Sequence, residues 1–199
     1  MRLSLKTAPS ARALDWTTEV MGHLRLDSNE EQDRVVNVLI PAAEEWAQSA
    51  TGRQLITATW TLYLRGFPST PCPIWLPKPP LRSVTSVKYY DALGAQQTLS
   101  PSDYIVTTEA GPKAGPGFIQ TKPLVYWPTT YGPPYEVEIE FVAGYGAASS
   151  DVPGLLRQGM LLLVGEMFER REQSVVGAPI AQVPLSAERL ILPFLSEHV

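Results

Sequence analysis

Prolines divide this sequence into a beginning and an end with helical patterns and a middle region without them. The chain has 199 residues and 19 prolines, and 13 of these prolines lie between Leu64 and Pro134. Proline fixes φ near about −65° and has no amide hydrogen to donate, so it breaks the interior of a helix. Long helices are therefore excluded from the middle region, which can instead form short strands joined by turns.

The stretch IWLPKPPLRSVTSVKYYD, residues 74–91, places three prolines just before a strand pattern. A residue that precedes proline is pushed toward extended geometry, so Lys78 and Pro79 are both predicted to be extended. The β-branched and aromatic residues over 84–90 favour a strand. We interpret the prolines as a rigid lead into a sheet.

Further short strands are predicted on both sides of this stretch, at 56–64, 96–99, 104–107, 118–121 and 135–142. A turn at 91–94 joins the strand at 84–90 to the one at 96–99. In EVEIEFVAG, the apolar Val137, Ile139 and Phe141 alternate with glutamates, and alternate residues of a strand point to opposite faces. This pattern predicts a half-buried strand whose outer face is acidic.

Residues 17–52 have the apolar spacing of helices. Ser28 followed by Glu31 is a capping-box pattern, which predicts the start of the longer helix. Pro41 should kink that helix or divide it in two. Gly52 is predicted to end it, because glycine is the usual residue of a left-handed C-terminal cap.

Helical patterns return near the end of the chain. Asp151 is predicted to cap a helix with Pro153 just inside its start. The sequence is apolar nearly all round over 155–168, so this helix should be buried on most sides. Residues 173–185 are predicted to form a loop, and Ser186 is predicted to cap a last short helix.

Together these elements predict an α+β fold. It is a small helical bundle, made of the N-terminal helices and a long buried helix near 152–172, with a β-rich insertion between about 54 and 145. The predicted division is an N-terminal helical part at 1–53, the β-rich insertion at 54–147, the core helix at 148–172, and a loop with a C-terminal docking segment at 173–199.

Charge and cysteine content exclude several classes of protein. The formal net charge is −4 and no Lys/Arg cluster occurs, whereas a nucleic-acid grip would need a basic surface. Cys72 is the single cysteine, which excludes an internal disulfide, and its proline neighbours indicate a structural role. No apolar run is long enough for a membrane helix, and the first residues lack the apolar core of a signal peptide. A reducing cytoplasm is the expected compartment.

The sequence shows no convergent set of catalytic groups. It lacks the H-E-x-x-H, G-x-S-x-G and P-loop motifs, and its two histidines, His23 and His198, stand without a partner at motif spacing. The glycines of AGPKAGPGF, residues 110–118, superficially suggest a phosphate-binding loop, but prolines remove amide donors and no helix follows. We therefore predict no catalytic residue, no cofactor and no metal site.

Aromatic residues crowd the middle region and leave one alternative open. Such residues bind sugars or stack on bases when they lie on an exposed face, and they form the core of a sheet when they are buried. The core interpretation is favoured; the alternative is a small ligand-binding domain or enzyme that uses this β region. The residues concerned are Trp60, Tyr63, Phe67, Trp75, Tyr89, Tyr90, Tyr104, Tyr126, Trp127, Tyr131 and Tyr135.

The end of the sequence is unusually apolar for a short segment. An apolar surface of this kind needs a partner, which is either the protein's own core or another chain, and the sequence leaves both open. The residues predicted to form this interface are Leu190, Ile191, Leu192, Phe194 and Leu195.

The order of these pieces resembles the head–tail connector, or adaptor, proteins of long-tailed bacteriophages and of gene transfer agents. The resemblance covers roughly residues 14–172 and is carried by HLRLD, ATGRQLIT, the proline stretch at 74–91, and IEFVAGYG followed by DVPGLLRQGMLLLVGEMFERRE. Each motif is weak alone, and their order is what is specific. Met167-Phe168-Glu169 departs slightly from the family pattern, and residues 1–13 and 173–199 match less.

The resemblance implies a structural function. Copies of such proteins form a ring, twelvefold in the family, beneath the portal protein of the particle neck, with the helices as the ring body. The ring extends the DNA channel without binding DNA specifically and docks a stopper, head-closure or tail-terminator protein. The C-terminal segment would then contact the portal through the five apolar residues at 190–195. Assembly in the bacterial cytoplasm, without a membrane and without enzymatic activity, is implied as well.

Overall fold

The computed structural model describes residues 1–69, 72–132, 134–170 and 184–195. Internal contacts divide the chain into two compact units. The first, which we call the β unit, comprises Met1–Ser10 and Thr57–Gly144; the second, the helical unit, comprises Ala11–Ile56 and Tyr145–Val199. The α+β fold predicted from the sequence is confirmed.

The residues of the β unit that the structure describes form two antiparallel sheets. The larger has the strand order β1-β2-β8-β4-β5 and the smaller has the order β3-β7-β6. The strands are β1 (Arg2–Thr7), β2 (Ala58–Leu64), β3 (Ile74–Trp75), β4 (Leu81–Tyr90), β5 (Gln96–Thr98), β6 (Tyr104–Thr107), β7 (Phe118–Thr121) and β8 (Val137–Ala143).

Strand β8 lies at the centre of the larger sheet, between β2 and β4. Its odd-numbered residues are buried and its even-numbered ones half-buried, as the alternation in the sequence predicts. The outer face is less acidic than predicted, because the neighbouring strands bring lysines to it. Glu140 accepts a hydrogen bond from Lys6 Nζ at 2.5 Å, and Glu138 stands opposite Lys88.

The predicted extended geometry of Lys78 is wrong. Lys78 has φ of 65°, in the left-handed region, which costs an ordinary residue about 1–2 kcal/mol. Its ammonium lies 5.6 Å from the centre of the Trp60 ring, and this cation–π contact of about 1 kcal/mol offsets part of that cost. Burial lowers the pKa of Lys78. Strand β4 begins at Leu81, earlier than predicted, where the Pro80 carbonyl accepts from the Gly144 amide at 2.9 Å.

Strand β1 was not predicted, since residues 1–53 were interpreted as helical. Arg2–Thr7 pairs antiparallel with β2 at the edge of the larger sheet. Leu3 and Leu5 alternate with polar residues, but a six-residue pattern of this kind is too short to distinguish an edge strand from a loop. Its pairing is set by tertiary contacts with β2 instead.

The described residues of the helical unit form four helices. Helix α1 consists of a π-helical turn at Trp16–Val20 that continues into Met21–His23. Helix α2 combines Gln32–Arg34, a π-helical turn at Val35–Leu39 and Ile40–Thr51. Helix α3 is Gly154–Glu169, and α4 is Leu185–Ile191, which is followed by a 3₁₀ turn at Leu192–Phe194. Gly52 ends α2 with φ of 70°, which confirms its predicted role. Among the described residues, no helix is long and apolar enough to cross a membrane.

Three predicted helix starts are wrong. Helix α2 begins at Gln32 rather than after Ser28, and Glu31 makes a 3.4 Å ion pair with Arg34 instead of a cap. Asp151 accepts from the Ala148 amide and so closes a separate 3₁₀ turn before α3, which begins after Pro153. The last helix begins after Pro184, so Ser186 lies inside it.

Pro41 does not divide α2. The helix continues through it, with a π-helical turn immediately before the segment in which Pro41 occupies the first turn. Such wider turns occur where the regular hydrogen-bond ladder is disturbed, and proline removes one bond of that ladder. The helix therefore continues past Pro41 with one widened turn rather than breaking.

The core of the helical unit is built around α3. Its buried residues confirm the prediction of a helix enclosed on most sides: Leu156, Gly159, Met160, Leu161, Leu163 and Val164. On α1, Asp15 accepts from the Thr18 amide at 2.7 Å and caps the helix. Arg157 of α3 pairs with Glu19 of α1, which joins the two helices.

Candidate functional site

The C-terminal segment, residues 185–195, has a buried face and an exposed face. Ile191 and Phe194 are only 4% and 2% exposed and belong to the core of the helical unit. Leu192 and Leu195, by contrast, are 55% and 47% exposed. One pair of residues therefore packs on the protein's own core, and the other pair is exposed.

The 3₁₀ turn explains this division. Residues three apart lie on the same side of a 3₁₀ helix, so Ile191 aligns with Phe194 and Leu192 with Leu195. Leu185, seven positions before Leu192 on α4, is also exposed. Leu190, the remaining predicted interface residue, is half-buried. The predicted loop at 173–185 lies outside the described residues as far as 183, and so do residues 196–199.

Helix α4 packs closely on α3 because α3 carries a glycine at the contact. A Cβ added to Gly159 would lie 3.3 Å from Ile191 Cγ2 and 3.4 Å from the Ala187 carbonyl oxygen. This spacing is tighter than most contacts, so any side chain at position 159 would push the C-terminal segment outward. The position of Leu192 and Leu195 thus depends on a residue far away in sequence.

A buried arginine holds the end of the segment. Arg53, which is 3% exposed, follows the Gly52 cap of α2. Its Nε donates to the Phe194 carbonyl at 2.7 Å, and its guanidinium also donates to the Tyr145 hydroxyl at 3.3 Å. Burial raises the pKa of Tyr145, and the Arg53 charge opposes that rise. The sequence offered no sign of this contact beyond the ATGR motif that contains Arg53.

The aromatic residues of the β unit do not form one exposed binding face. Phe67 stacks on Trp127 with ring centres 4.8 Å apart, and its edge contacts Tyr89. Tyr104 is buried, and burial raises its pKa. Five of the eleven residues, Trp60, Phe67, Tyr89, Tyr104 and Trp127, lie in or against the core of the β unit, whereas Trp75, Tyr126 and Tyr131 are exposed.

The other candidate groups are also used within the fold. In the glycine-rich stretch, Glu109 accepts from the Gly115 amide at 2.7 Å, so a carboxylate occupies an amide that a phosphate would need. A Cβ on Gly117 would lie 2.3 Å from Leu81 Cδ2, which shows that this glycine serves close packing. Cys72 is exposed, and its carbonyl accepts from Trp127 Nε1 at 3.4 Å.

Metal-binding geometry is absent from the part of the chain that the structure describes, where no three His, Cys, Asp or Glu side chains cluster. His23 is exposed beside Gly165 of α3, and His198 lies outside the described residues. The glutamates of β8 face lysines rather than one another.

Sequence reasoning missed one exposed feature, the loop between β7 and β8. Leu124, Tyr126 and Tyr131 are 96%, 75% and 70% exposed. Two of these were counted among the aromatic residues without a distinct role. The available pattern was an apolar and aromatic run, residues 124–127, between Pro123 and Pro128.

Comparison with known proteins gives a consistent result. Residues 18–107 match the family described as phage gp6-like head-tail connector protein. A chain from the neck of an empty gene transfer agent particle, computed with C6 symmetry, is 25% identical, with a TM-score of 0.78, and the match covers 100% of this chain and 97% of that one. The search of curated proteins found no significant relative.

Two further solved chains share the fold. One comes from the virion of a native gene transfer agent particle, with 24% identity and a TM-score of 0.76. The other comes from the neck of a native particle computed with C12 symmetry, with 22% identity and a TM-score of 0.72. Each match covers 100% of this chain and 97% of the other chain.

Proposed function

We propose that this chain is a head–tail connector and that its copies form a ring in the neck of a phage-like particle. Residues 18–107 match a head–tail connector family, and a neck chain of a gene transfer agent particle is similar over the whole length of this chain. The observation that carries the proposal is the match to a neck chain along essentially the whole length of both proteins. That particle neck was computed with sixfold symmetry, and another with twelvefold symmetry. Assembly of the ring in the bacterial cytoplasm is part of the same proposal.

The protein has a structural role and is not an enzyme, as its family and its solved relative indicate. In the proposed ring, DNA passes through the channel without specific binding. A net charge of −4 suits that task, because a strongly basic wall would retain DNA through its phosphates. No described residue cluster favours the alternative of a ligand-binding domain.

The C-terminal segment is the proposed contact with the portal protein. Leu192 and Leu195 expose an apolar surface on a backbone that Arg53 and the core hold in place. A preorganised apolar surface loses little conformational entropy on binding. Leu190, Ile191 and Phe194, which were also predicted to dock, contribute by shaping the segment from within. A stopper, head-closure or tail-terminator protein would bind the opposite side of the ring.

Labelling of particles tests the ring proposal. Particles purified from the source cells would be treated with a gold-tagged antibody against this chain and imaged. Label at a single site, the head–tail junction, is the expected result. Particles with tails and no label, with the protein left soluble in the cell, would contradict the proposal.

The portal contact needs a gentler test than deletion of residues 186–199. Such a deletion would remove Ile191 and Phe194 from the core and could unfold the helical unit. The double variant Leu192→Ser/Leu195→Ser changes only exposed side chains, and Leu155→Ser, at a leucine that is 47% exposed on α3, is the matched control. We expect the double variant to be lost from heads and the control to be retained. Equal incorporation of both would refute the portal assignment.

A further inference from the structure

The segment between β7 and β8, residues 122–132, combines high exposure of apolar side chains with a firmly held backbone. We call it the docking loop. Leu124 is 96% exposed and has φ of 66°, in the left-handed region. A leucine gains nothing from such a position in the free protein, since its side chain is in water and its backbone is strained. A contact with another molecule would account for both.

The backbone of the docking loop is held at several points. The Val125 amide donates to the Lys122 carbonyl at 3.0 Å and closes a turn around Leu124. Near its other end, the Tyr131 amide donates to the Tyr90 carbonyl at 3.2 Å. Thr130 donates to the Glu136 carboxylate at 2.5 Å.

Trp127 holds the middle of the docking loop. Its ring is stacked on Phe67 at an angle of 7° and a centre distance of 4.8 Å, and its Nε1 donates to the Cys72 carbonyl. Tyr126, the residue before Trp127, is thereby presented outward in a fixed arrangement. Preorganisation of this kind lowers the entropy lost on binding.

The exposed side chains indicate the chemistry of the partner. Leu124, Tyr126 and Tyr131 offer apolar surface with two hydroxyl groups, and tyrosine is enriched among the residues that dominate protein interfaces. Lys122 is the one cation of the loop, so the basic groove that tracks a nucleic-acid backbone is lacking here. The surface therefore fits an apolar pocket on a protein, with polar groups at the rim of the pocket.

The size of the surface indicates how the partner is arranged. Three such side chains bury on the order of 500 Å², whereas a stable pair of proteins buries about 800 Å² on each partner. Contact between neighbouring copies within one ring must hold each pair together and needs the larger area. A small contact suffices when a ring of copies meets a second ring of matching repeat, since the many contacts act together.

We propose that the docking loop binds the ring that lies on the tail side of this protein in the neck, by inserting Leu124 and its tyrosine neighbours into an apolar pocket on each subunit of that ring. This inference rests on the proposed connector function. It assigns to the β unit the second contact that a two-sided connector requires, while the C-terminal segment of the helical unit serves the portal.

The test uses the full chain in cells whose own copy of the gene is deleted. The variant Leu124→Asn/Tyr126→Ser removes the two most exposed of the three side chains, and asparagine is well tolerated at left-handed φ. The matched control is Leu93→Asn, because Leu93 is 94% exposed in the turn between β4 and β5 of the same unit. Particles are counted by electron microscopy, and the copies of this chain per head are measured by mass spectrometry.

We expect the docking-loop variant to occupy heads at the wild-type copy number while the fraction of heads with tails falls at least tenfold; the control should match wild type in both. Tails at the wild-type frequency would overturn the inference. So would loss of the variant from heads with the control retained, because the loop would then serve the ring or the portal. Wild-type chain absent from heads would instead refute the connector function itself.

Discussion

The C-terminal segment and the docking loop both expose leucines, but they hold them in different ways. Leu192 and Leu195 lie on the outer side of a turn whose inner side, Ile191 and Phe194, is core. Leu124 lies on a loop that is held by ring stacking and a few hydrogen bonds. Substitution of the core residues beneath the C-terminal segment should therefore destabilise the whole helical unit. Substitution of the residues that hold the docking loop should have its largest effect on that loop.

The largest expected effect follows from Phe194→Ala. Removing a fully buried phenylalanine leaves a cavity and costs about 3–5 kcal/mol, so the free energy of unfolding of the helical unit should fall by that amount. Urea unfolding, with hydrogen exchange resolved by peptide, measures it. Leu195→Ala is the neighbouring control and should change stability by less than about 0.5 kcal/mol. An equal loss of unfolding free energy for Phe194→Ala and Leu195→Ala would contradict the division of the C-terminal segment into a buried face and an exposed face.

A smaller loss is expected from Arg53→Met. The substitution keeps much of the side-chain volume but takes the charged donor from the Phe194 carbonyl; loss of a hydrogen bond from a charged group costs about 2 kcal/mol. Hydrogen exchange should rise first in residues 190–195, and the pKa of Tyr145 should rise further because the opposing charge is gone. Unchanged protection at 190–195 would show that Arg53 does not hold the segment.

Trp127→Ala should act on the docking loop and on the β unit against which Trp127 packs, and should leave the helical unit unchanged. A stacked aromatic pair contributes about 0.5–1.5 kcal/mol beyond its burial, so the β unit should lose roughly 1–2 kcal/mol of stability. Hydrogen exchange should increase over 122–132 and stay unchanged in α3 and α4. Increased exchange in the helices would contradict the separation of the two regions.

The smallest expected effect depends on pH and concerns the helical unit. Glu44 accepts from the Ala13 amide at 2.5 Å and pairs with Arg12 at 3.3 Å. Burial raises its pKa above the ordinary value of 4.5, with those two contacts opposing the rise. The folded state therefore holds this proton more tightly than the unfolded state, and stability contributed by the protonated form is lost as pH rises through the folded pKa.

Comparison of wild type with Glu44→Gln isolates this contribution. Relative to the variant, wild type should lose stability as pH rises from about 4.5 through the folded pKa. Chemical unfolding at a series of pH values, followed at a peptide of the helical unit, gives the difference. If the stability of wild type relative to the variant stays constant or increases with pH, burial does not disfavour the charged form of Glu44.

The sequence predicts elements well where a local cause dominates. Gly52 ends its helix because only a residue tolerant of positive φ fits there, and the turn at Asp91 is held by its own carboxylate, which accepts from the Leu93 and Ala95 amides. Strands β6 and β7 were predicted with the bounds that the structure has. In each case the deciding interactions lie within a few residues.

Prediction failed where a distant contact outweighs the local pattern. Lys78 is left-handed beside the ring of Trp60, and Arg2–Thr7 is a strand because β2 pairs with it. The candidate surface shows the same limit. The five apolar residues at 190–195 were visible in the sequence, but their division into inner and outer faces depends on Gly159 and Arg53. The loop that carries Leu124 is held in part by the stacking of Trp127 on Phe67, far away in sequence.

The most direct test of the connector account is a cryo-electron microscopy reconstruction of the neck of particles from the source cells, computed with and without imposed symmetry. We expect a ring of copies of this chain between the portal and the tail, with residues 190–195 against the portal and residues 122–132 against the next ring. A neck whose density is filled by other proteins, with no ring into which this fold fits, would contradict the account.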